Sequence, residues 1–174
     1  MSMQPVLPFE ADAPVPPRVE VIRSPKRRKT IQARMVDGVI QIHIPAWMSK
    51  TEEHETVERM VARVLRKNDA SEVDLDSRAS SLATRHGLPR PTSIRWVSNQ
   101  STQWGSCTPV DGAIRISDRL VAFPPWVLDA VIVHELAHLV VLGHTAEFHE
   151  LCNRYPLTER ARGFLIAKGW GDDE

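Results

Sequence analysis

The segment VIVHELAHLVVLGH, residues 131–144, places three histidines and a glutamate at spacings that suit metal chemistry. His134 and His138 are four residues apart, so on a helix they lie about 40° apart on one face. Both imidazoles can then bind one ion, and nitrogen donors of this kind favour Zn²⁺ over hard cations. Glu135 is rotated by about 100° from His134, which keeps it off the metal but leaves it able to take a proton from water.

The third ligand is less obvious from the spacing alone. On an uninterrupted helix His144 would lie about 240° around from His138 and would face away from the metal. Gly143 changes this, because a glycine after the last apolar residue is the preferred left-handed terminator of a helix. A helix that ends at Gly143 turns His144 back toward the metal, so we predict His144 as the third ligand. The alternatives are His149, Glu147 and Glu150.

The residues around the motif indicate a buried helix. Pro125 suits the first helical position, and nearly every residue from Val127 to Leu142 outside the motif is apolar. Two imidazoles and a carboxylate left unpaired in such a helix would cost several kcal/mol, and a bound metal removes that cost. Three protein ligands leave the fourth tetrahedral position to water, which is the arrangement of a catalytic zinc site. The pattern therefore favours a hydrolase.

Other segments predict the elements that position this helix. Asp37 and Gly38 separate two alternating runs, the second containing Ile40, Ile42 and Ile44, and so predict a β-hairpin. Ser49 and Glu52 form a capping box, which predicts a helix over about 50–67. A second helix is expected from near Ser71 to Gly87.

Short strands are expected at 94–97 and 113–117, on either side of an irregular polar loop. The fold class that these elements predict is α+β: a single domain with an antiparallel sheet packed on the active-site helix. In this prediction the strand at 113–117 borders the cleft.

Composition narrows the setting. The chain has 174 residues with 22 basic and 22 acidic side chains, so its overall charge favours neither nucleic acid nor an anionic membrane. Residues 1–17 contain five prolines and are predicted to be a flexible tail, with the folded domain at 18–170. The two cysteines are too few for a disulfide framework. The absence of a signal peptide or a long apolar run predicts a cytoplasmic protein without membrane contact.

The order of several motifs resembles the YgjP-like metallopeptidase domain family, which is more distantly related to the SprT-like and WLM metalloproteases. The resemblance covers about residues 18–168 and rests on RSPKRRKTI, QWGSC at 103–107, IRIS followed by Arg119 and Leu120, HELAHLVVLGH, and EFHELCNRYP. It implies a zincin-like fold and a bound Zn²⁺. By position, it implies metal ligands at His134, His138 and His144 and a catalytic glutamate at Glu135.

The sequence departs from the common family pattern at a few positions. Gln103 stands where arginine is common, Ser117 where asparagine is common, and His149 where tryptophan is common. An Asn-His-Ser triplet is replaced by Gly143, His144 and Thr145. The four residues predicted for the site are retained.

The leading hypothesis is a zinc-dependent metallopeptidase that takes polypeptide in an extended conformation. The alternatives are a zinc hydrolase of a non-peptide bond, such as a nucleotide phosphoanhydride, and a non-catalytic binding module with a metal site. The basic residues at 23–29 could contact nucleic acid. The preferred interpretation is that they prevent an exposed strand edge from pairing with another chain.

Two further assignments concern residues near the motif. We interpret Cys107 as a small buried thiol rather than a zinc ligand or redox guard. Tyr155, His149 and Arg115 are candidates for stabilising an oxyanion, and the sequence does not rank them.

Overall fold

A computed structural model describes residues 17–169 of the chain. The predicted flexible tail lies outside the described residues apart from Pro17, and so does Trp170 at the end of the predicted domain. The chain divides between Val64 and Leu65 into two compact units. The described residues form six helices and six strands, which confirms the α+β class. The strands are β1 Arg18–Ser24, β2 Gln32–Val36, β3 Val39–Pro45, β4 Ser93–Val97, β5 Gly105–Thr108 and β6 Ala113–Ser117. The five α-helices are α1 Lys50–Ser71, α2 Leu75–His86, α3 Pro125–Ala137, α4 Ala146–Cys152 and α5 Thr158–Ala167. The sixth helix is a 3₁₀ helix at Asp118–Ala122, which is not numbered.

The first unit contains a three-stranded sheet in the order β1-β3-β2. Strands β2 and β3 are antiparallel and are joined by Asp37 (φ 49°) and Gly38 (φ 77°), both left-handed, as a two-residue hairpin turn requires. This confirms the predicted hairpin. On β3, Ile40, Ile42 and Ile44 are fully buried. β1 pairs with β3 in parallel, which local alternation does not predict because the partner strand is distant in sequence.

The capping box of α1 is present. The Ser49 backbone N–H donates to Glu52 Oε2 at 3.0 Å, and the Glu52 N–H donates to Ser49 Oγ at 3.3 Å. The second helix, α2, begins at Leu75 rather than near Ser71, because α1 continues to Ser71. The side chain of Asp74 caps α2 by accepting from the N–H of Ser77 at 3.0 Å.

The second unit contains a three-stranded sheet in the order β4-β6-β5. β6 pairs in parallel with β4 and antiparallel with β5, so the sheet is mixed and the antiparallel prediction is wrong for one of its two pairings. β6 is the central strand of this sheet. None of residues 113–117 lines the cavity beside the active-site helix, so the expectation that they border the cleft is also wrong. β5 lies in the segment predicted to be an irregular loop. Its four residues are all half-buried, so they lack the alternation that reveals a strand.

Helix α3 is the centre of the second unit's core, where Val127, Ile132, Val133 and Leu136 are essentially fully buried. It ends at Ala137, five residues before the predicted end at Leu142. The last turn tightens, since the Leu139 N–H donates to Leu136 and the Val140 N–H donates to Ala137.

Beyond the end of α3, Leu139 and Val141 still pack against the core, whereas the alternate residues turn to solvent. Val140 is 52% exposed and Leu142 is 78% exposed. Apolar composition predicted burial here, but exposure depends on where the chain leaves the core, which periodicity does not record. Within residues 17–169, no helix is both long and apolar enough to cross a membrane.

Gly87, at the end of α2, and Gly163, inside α5, give stability predictions of opposite sign. Gly87 ends α2 with φ 62°, where a side chain is strained, whereas Gly163 lies inside α5 with no atom within 4 Å of an added Cβ. Gly87→Ala should lower the free energy of unfolding by about 1–2 kcal/mol, and Gly163→Ala should raise it by about 0.5–1 kcal/mol. Urea denaturation measures the free energy of unfolding of both variants. A Gly87→Ala variant as stable as wild type would contradict the left-handed cap, and a destabilised Gly163→Ala variant would contradict the open space at residue 163.

Candidate metal centre

Three imidazoles converge at the end of α3. His134 lies in the last turn of the helix, His138 is its C-cap, and His144 follows in the loop before α4. The Nε2 atoms of His138 and His144 lie 3.2 Å and 3.3 Å from Nε2 of His134. Two nitrogens that bind one tetrahedral Zn²⁺ at about 2.0–2.1 Å are themselves about 3.3–3.4 Å apart. The spacing of the donor atoms therefore fits a single zinc ion.

A backbone carbonyl orients the second imidazole. Nδ1 of His138 lies 3.1 Å from the carbonyl oxygen of Val141, so Nδ1 carries the proton and donates it to that oxygen. The lone pair is then on Nε2, which points toward His134. Fixing the tautomer of a metal-binding histidine through its other nitrogen is a general feature of such sites. The early end of α3 makes this possible, because the turn at residues 138–141 brings the carbonyl back to the ring.

The predicted reason for the position of His144 is wrong. Gly143 is not among the glycines with positive φ, and α3 ends six residues before it, so no left-handed glycine terminates this helix. The turn after Ala137 redirects the chain instead. His149, the main alternative ligand, is exposed, and its ring centroid lies 6.5 Å from that of His144. Among the described residues, the group that could hold an ion is His134, His138 and His144.

Phe148 supports all three imidazoles from one side. Its ring is 1% exposed and stacks on His138 with centroids 4.4 Å apart. The same ring meets His134 and His144 edge-on, each at 4.8 Å. Phe148 is held on α4, whose N-cap Thr145 accepts from the Phe148 N–H at 3.4 Å. The sequence analysis did not identify Phe148 as a support for the histidines.

Burial lowers the pKa of two of the three histidines, His134 and His138, and so favours their neutral form. Burial, followed by the charges of the neighbouring histidines, lowers the pKa of His134 to about 3. Burial also lowers the pKa of His138, although the bond to Val141 partly opposes the shift. Neutral imidazoles present the lone pairs that a metal ion needs. Both their charge state and their spacing fit Zn²⁺.

Glu135 lies beside the histidines on α3 and is 5% exposed. Burial raises the pKa of its carboxyl group to about 8. The side chain fits only because residue 105 is glycine: a Cβ there would lie 2.8 Å from both Cγ and Cδ of Glu135 and 2.4 Å from Oε1. Gly105 is therefore required for the position of Glu135.

The segment before Gly105 is fixed to the end of β6. The Ser117 N–H donates to the carbonyl of Trp104 at 2.9 Å, and Trp104 is buried. The guanidinium of Arg119 covers the Trp104 ring at 3.9 Å and donates to the carbonyl of Gln103 at 3.1 Å. These contacts hold β5 against Glu135.

A cavity of about 540 Å³ opens onto the histidines, and β5, α3, α4 and α5 all contribute to its lining. Of the three candidates for oxyanion stabilisation, His149 lines it. Tyr155 is buried and donates to the carbonyl of Trp126 at 3.2 Å, and Arg115 is exposed on β6. His149 is thus the best placed of the three.

Both thiols line the same cavity. Burial, and then the charge of Glu135, raises the pKa of Cys107 to about 11 and that of Cys152 to about 12. Thiols with such pKa values stay protonated at neutral pH, whereas zinc binds the thiolate. The protonated thiol disfavours Cys107 as a zinc ligand, but its side chain is half-buried rather than buried as we expected.

Comparison with known proteins adds a family match. The family model described as YgjP-like, metallopeptidase domain, matches residues 25–165, which include all four residues of the candidate site. The chain is similar to the crystal structure of the metallopeptidase zymogen of Pyrococcus abyssi abylysin, with a TM-score of 0.46 and 18% identity over 52% of this chain and 87% of that chain. No curated protein matches the chain.

Zinc content tests the ligand set. The purified protein should hold about one zinc per chain, and His138→Ala and His144→Ala should each lose most of it, since three neutral imidazoles are needed to complete the site. His149→Ala should keep its zinc. Elemental analysis after dialysis against zinc measures all four proteins. A His149→Ala variant without zinc, beside a His144→Ala variant that retains it, would show that the third ligand is misassigned.

A double-mutant cycle tests the packing of Gly105 against Glu135. Gly105→Ala should lower the free energy of unfolding by about 1–3 kcal/mol, because the added methyl overlaps a buried side chain. In a Glu135→Ala background the same change should cost much less, since the overlapping atoms are gone. Equal costs in the two backgrounds would mean that this contact does not explain the glycine.

Proposed function

The chain belongs to the YgjP-like metallopeptidase domain family, and from that membership we propose that it hydrolyses peptide bonds with a zinc ion held by His134, His138 and His144. The family match confirms the resemblance found in the sequence and makes the chain a metal-dependent peptidase in general terms. The identity of the metal, its ligands and the roles of single residues form our proposal. The observation that carries it is the convergence of three imidazoles beside a buried glutamate.

The metal and Glu135 have separate tasks. When bound, zinc supplies Lewis-acid chemistry, which brings the pKa of water down to about 7 and polarises a carbonyl oxygen. Glu135 accepts the proton of the attacking water and later gives it to the amine that leaves. Burial raises the pKa of this carboxyl group to about 8, and a cation held at the histidines would lower it toward neutrality, where the group can both accept and release a proton. Gly105 and the β5 backbone keep its carboxylate in place.

The edge of β5 supports the choice of an extended polypeptide as substrate. β5 pairs with β6 on one side, and no described strand pairs with its other side. Gly105, Ser106 and Cys107 of β5 line the cavity that reaches the histidines. A substrate strand can add to such an edge through main-chain hydrogen bonds, which recognise polypeptide of many sequences. This edge replaces residues 113–117, which we expected in that role.

The charges of the cavity disfavour the phosphoanhydride alternative. Arg162 is the single lysine or arginine among the described residues that line it, and two glutamates, Glu135 and Glu159, line it as well. Phosphate sites usually combine several cationic or backbone N–H donors against the charge of the ligand. A nucleoside triphosphate would find little compensation here.

Replacing Glu135 tests the proposal. Glu135→Gln should keep zinc and the fold but lower the rate of peptide cleavage by about 10²-fold or more, because the amide cannot accept a proton. Glu159→Gln is the matched control: it makes the same change at an exposed glutamate that lines the cavity, and it should alter the rate only slightly. Cleavage of a diverse peptide library is measured beside hydrolysis of nucleoside triphosphates at equal zinc loading.

Two results would contradict the proposal. Phosphate or pyrophosphate release that depends on Glu135, without cleavage of any peptide, would support the phosphoanhydride hydrolase. Peptide binding that is the same in wild type and Glu135→Gln, with no cleavage by either, would support a binding module.

A further inference from the structure

Positive charge is concentrated in the first sheet. Residues 18–49 contain seven basic and two acidic side chains, although the whole chain has 22 of each. Four of the seven are consecutive, Lys26, Arg27, Arg28 and Lys29, in the connection between β1 and β2. We call residues 25–30 the basic loop. The charge balance of the whole chain therefore conceals a local basic surface.

Most of the charge on the basic loop faces solvent. Lys26, Arg28 and Lys29 are exposed, and among residues 17–169 the ion pairs include none of these three. Arg23, just before the loop, differs. Its guanidinium donates to the carbonyls of Ala46 at 2.9 Å and Met48 at 3.0 Å and pairs with Glu53. Arg23 therefore has a structural role, and the basic loop does not need its own charges for any such contact.

An exposed tryptophan lies against the basic loop. Trp47 is 65% exposed, and its indole N–H donates to the carbonyl of Arg28 at 3.1 Å. This bond fixes the ring beside the loop and leaves most of its surface open. A fixed aromatic ring among cationic side chains matches the composition of surfaces that stack bases while binding phosphates.

The basic loop continues into a polar face of the sheet. Arg27 donates to Oε1 of Gln32 at 3.1 Å, and Gln32 pairs in register with His43 on β3. Arg34 and Gln41 form the next pair along the same face. These side chains can hydrogen-bond to bases, whereas a membrane surface would require further apolar anchors around Trp47.

We propose that the basic loop and Trp47 bind single-stranded nucleic acid, with phosphates on Lys26, Arg28 and Lys29 and an unpaired base stacked on the indole. This surface belongs to the first compact unit, whereas the histidines and the cavity belong to the second. The proposal therefore does not depend on the peptidase activity.

Binding of a fluorescent thymidine oligonucleotide of about 20 nucleotides to the full chain tests the proposal. Anisotropy is measured between about 50 and 200 mM salt. A variant with Lys26→Gln, Arg28→Gln and Lys29→Gln should bind more weakly, and its salt slope should be smaller by about 2, at about 0.7 per lost phosphate contact. Trp47→Leu should weaken binding by about 10-fold or more with little change in slope, because stacking involves no counterion release.

The matched control carries the same charge change elsewhere. Arg90, Arg95 and Arg115 are exposed arginines of the second unit, and their triple glutamine variant should bind as wild type does. Unchanged melting temperatures confirm that all variants fold. No oligonucleotide binding at low salt would overturn the proposal, as would equal losses in the two triple variants. Binding to phosphatidylserine vesicles but not to the oligonucleotide would overturn it in favour of a membrane surface.

Discussion

The Nε2 atoms of His138 and His144 lie 3.2 Å and 3.3 Å from Nε2 of His134, so three imidazole nitrogens are held together, and this arrangement is the constraint on which the site depends. The lone pairs of these nitrogens repel one another, and a cation that all three bind replaces this repulsion with attraction. Before a cation binds, the protein must hold the rings. Phe148 supports all three from one side, and the Val141 carbonyl fixes the tautomer of His138.

The position of Glu135 depends on a second set of contacts that extends away from the histidines. The buried side chain of Glu135 needs room beside β5, and Gly105 provides it because it has no Cβ. Gly105 is held in turn because the Trp104 backbone bonds to Ser117 and the Trp104 ring packs under Arg119. The central strand β6 thus acts on the site through β5. This explains why the QWGSC motif and the IRIS motif, which supply no metal ligand, accompany the histidines in the sequence.

The two compact units differ in chemistry. The unit that begins at Leu65 contains the cavity around the histidines, where burial shifts the pKa values of His134 and Glu135. Residues 18–49, which contain the first sheet, are basic, and most of their charged side chains are exposed to solvent. Electrostatic interactions at exposed side chains are screened by salt, whereas those in the cavity are screened much less. Salt and pH should therefore affect the two surfaces differently.

The sequence alone was enough to predict the elements whose determinants are local. The hairpin at Asp37 and Gly38, the capping box at Ser49, and the end of α2 at Gly87 each depend on a few neighbouring residues. The spacing of His134 and His138 likewise implies a shared helical face, because the period of a helix is fixed by its backbone. The two imidazoles and the glutamate between them were therefore recognisable without a structure.

Only the tertiary structure decided how the remaining residues reach the site. His144 was predicted beside the other histidines, but through a glycine break that is absent; α3 ends at Ala137, and the turn at residues 138–141 redirects the chain instead. β5 was missed, and β6 was placed at the edge instead of the centre, because strand pairing joins residues whose separation in sequence carries no local signal. The contact between Gly105 and Glu135 is of the same kind. Local patterns record propensity and periodicity, whereas these arrangements follow from packing between segments that are distant along the chain.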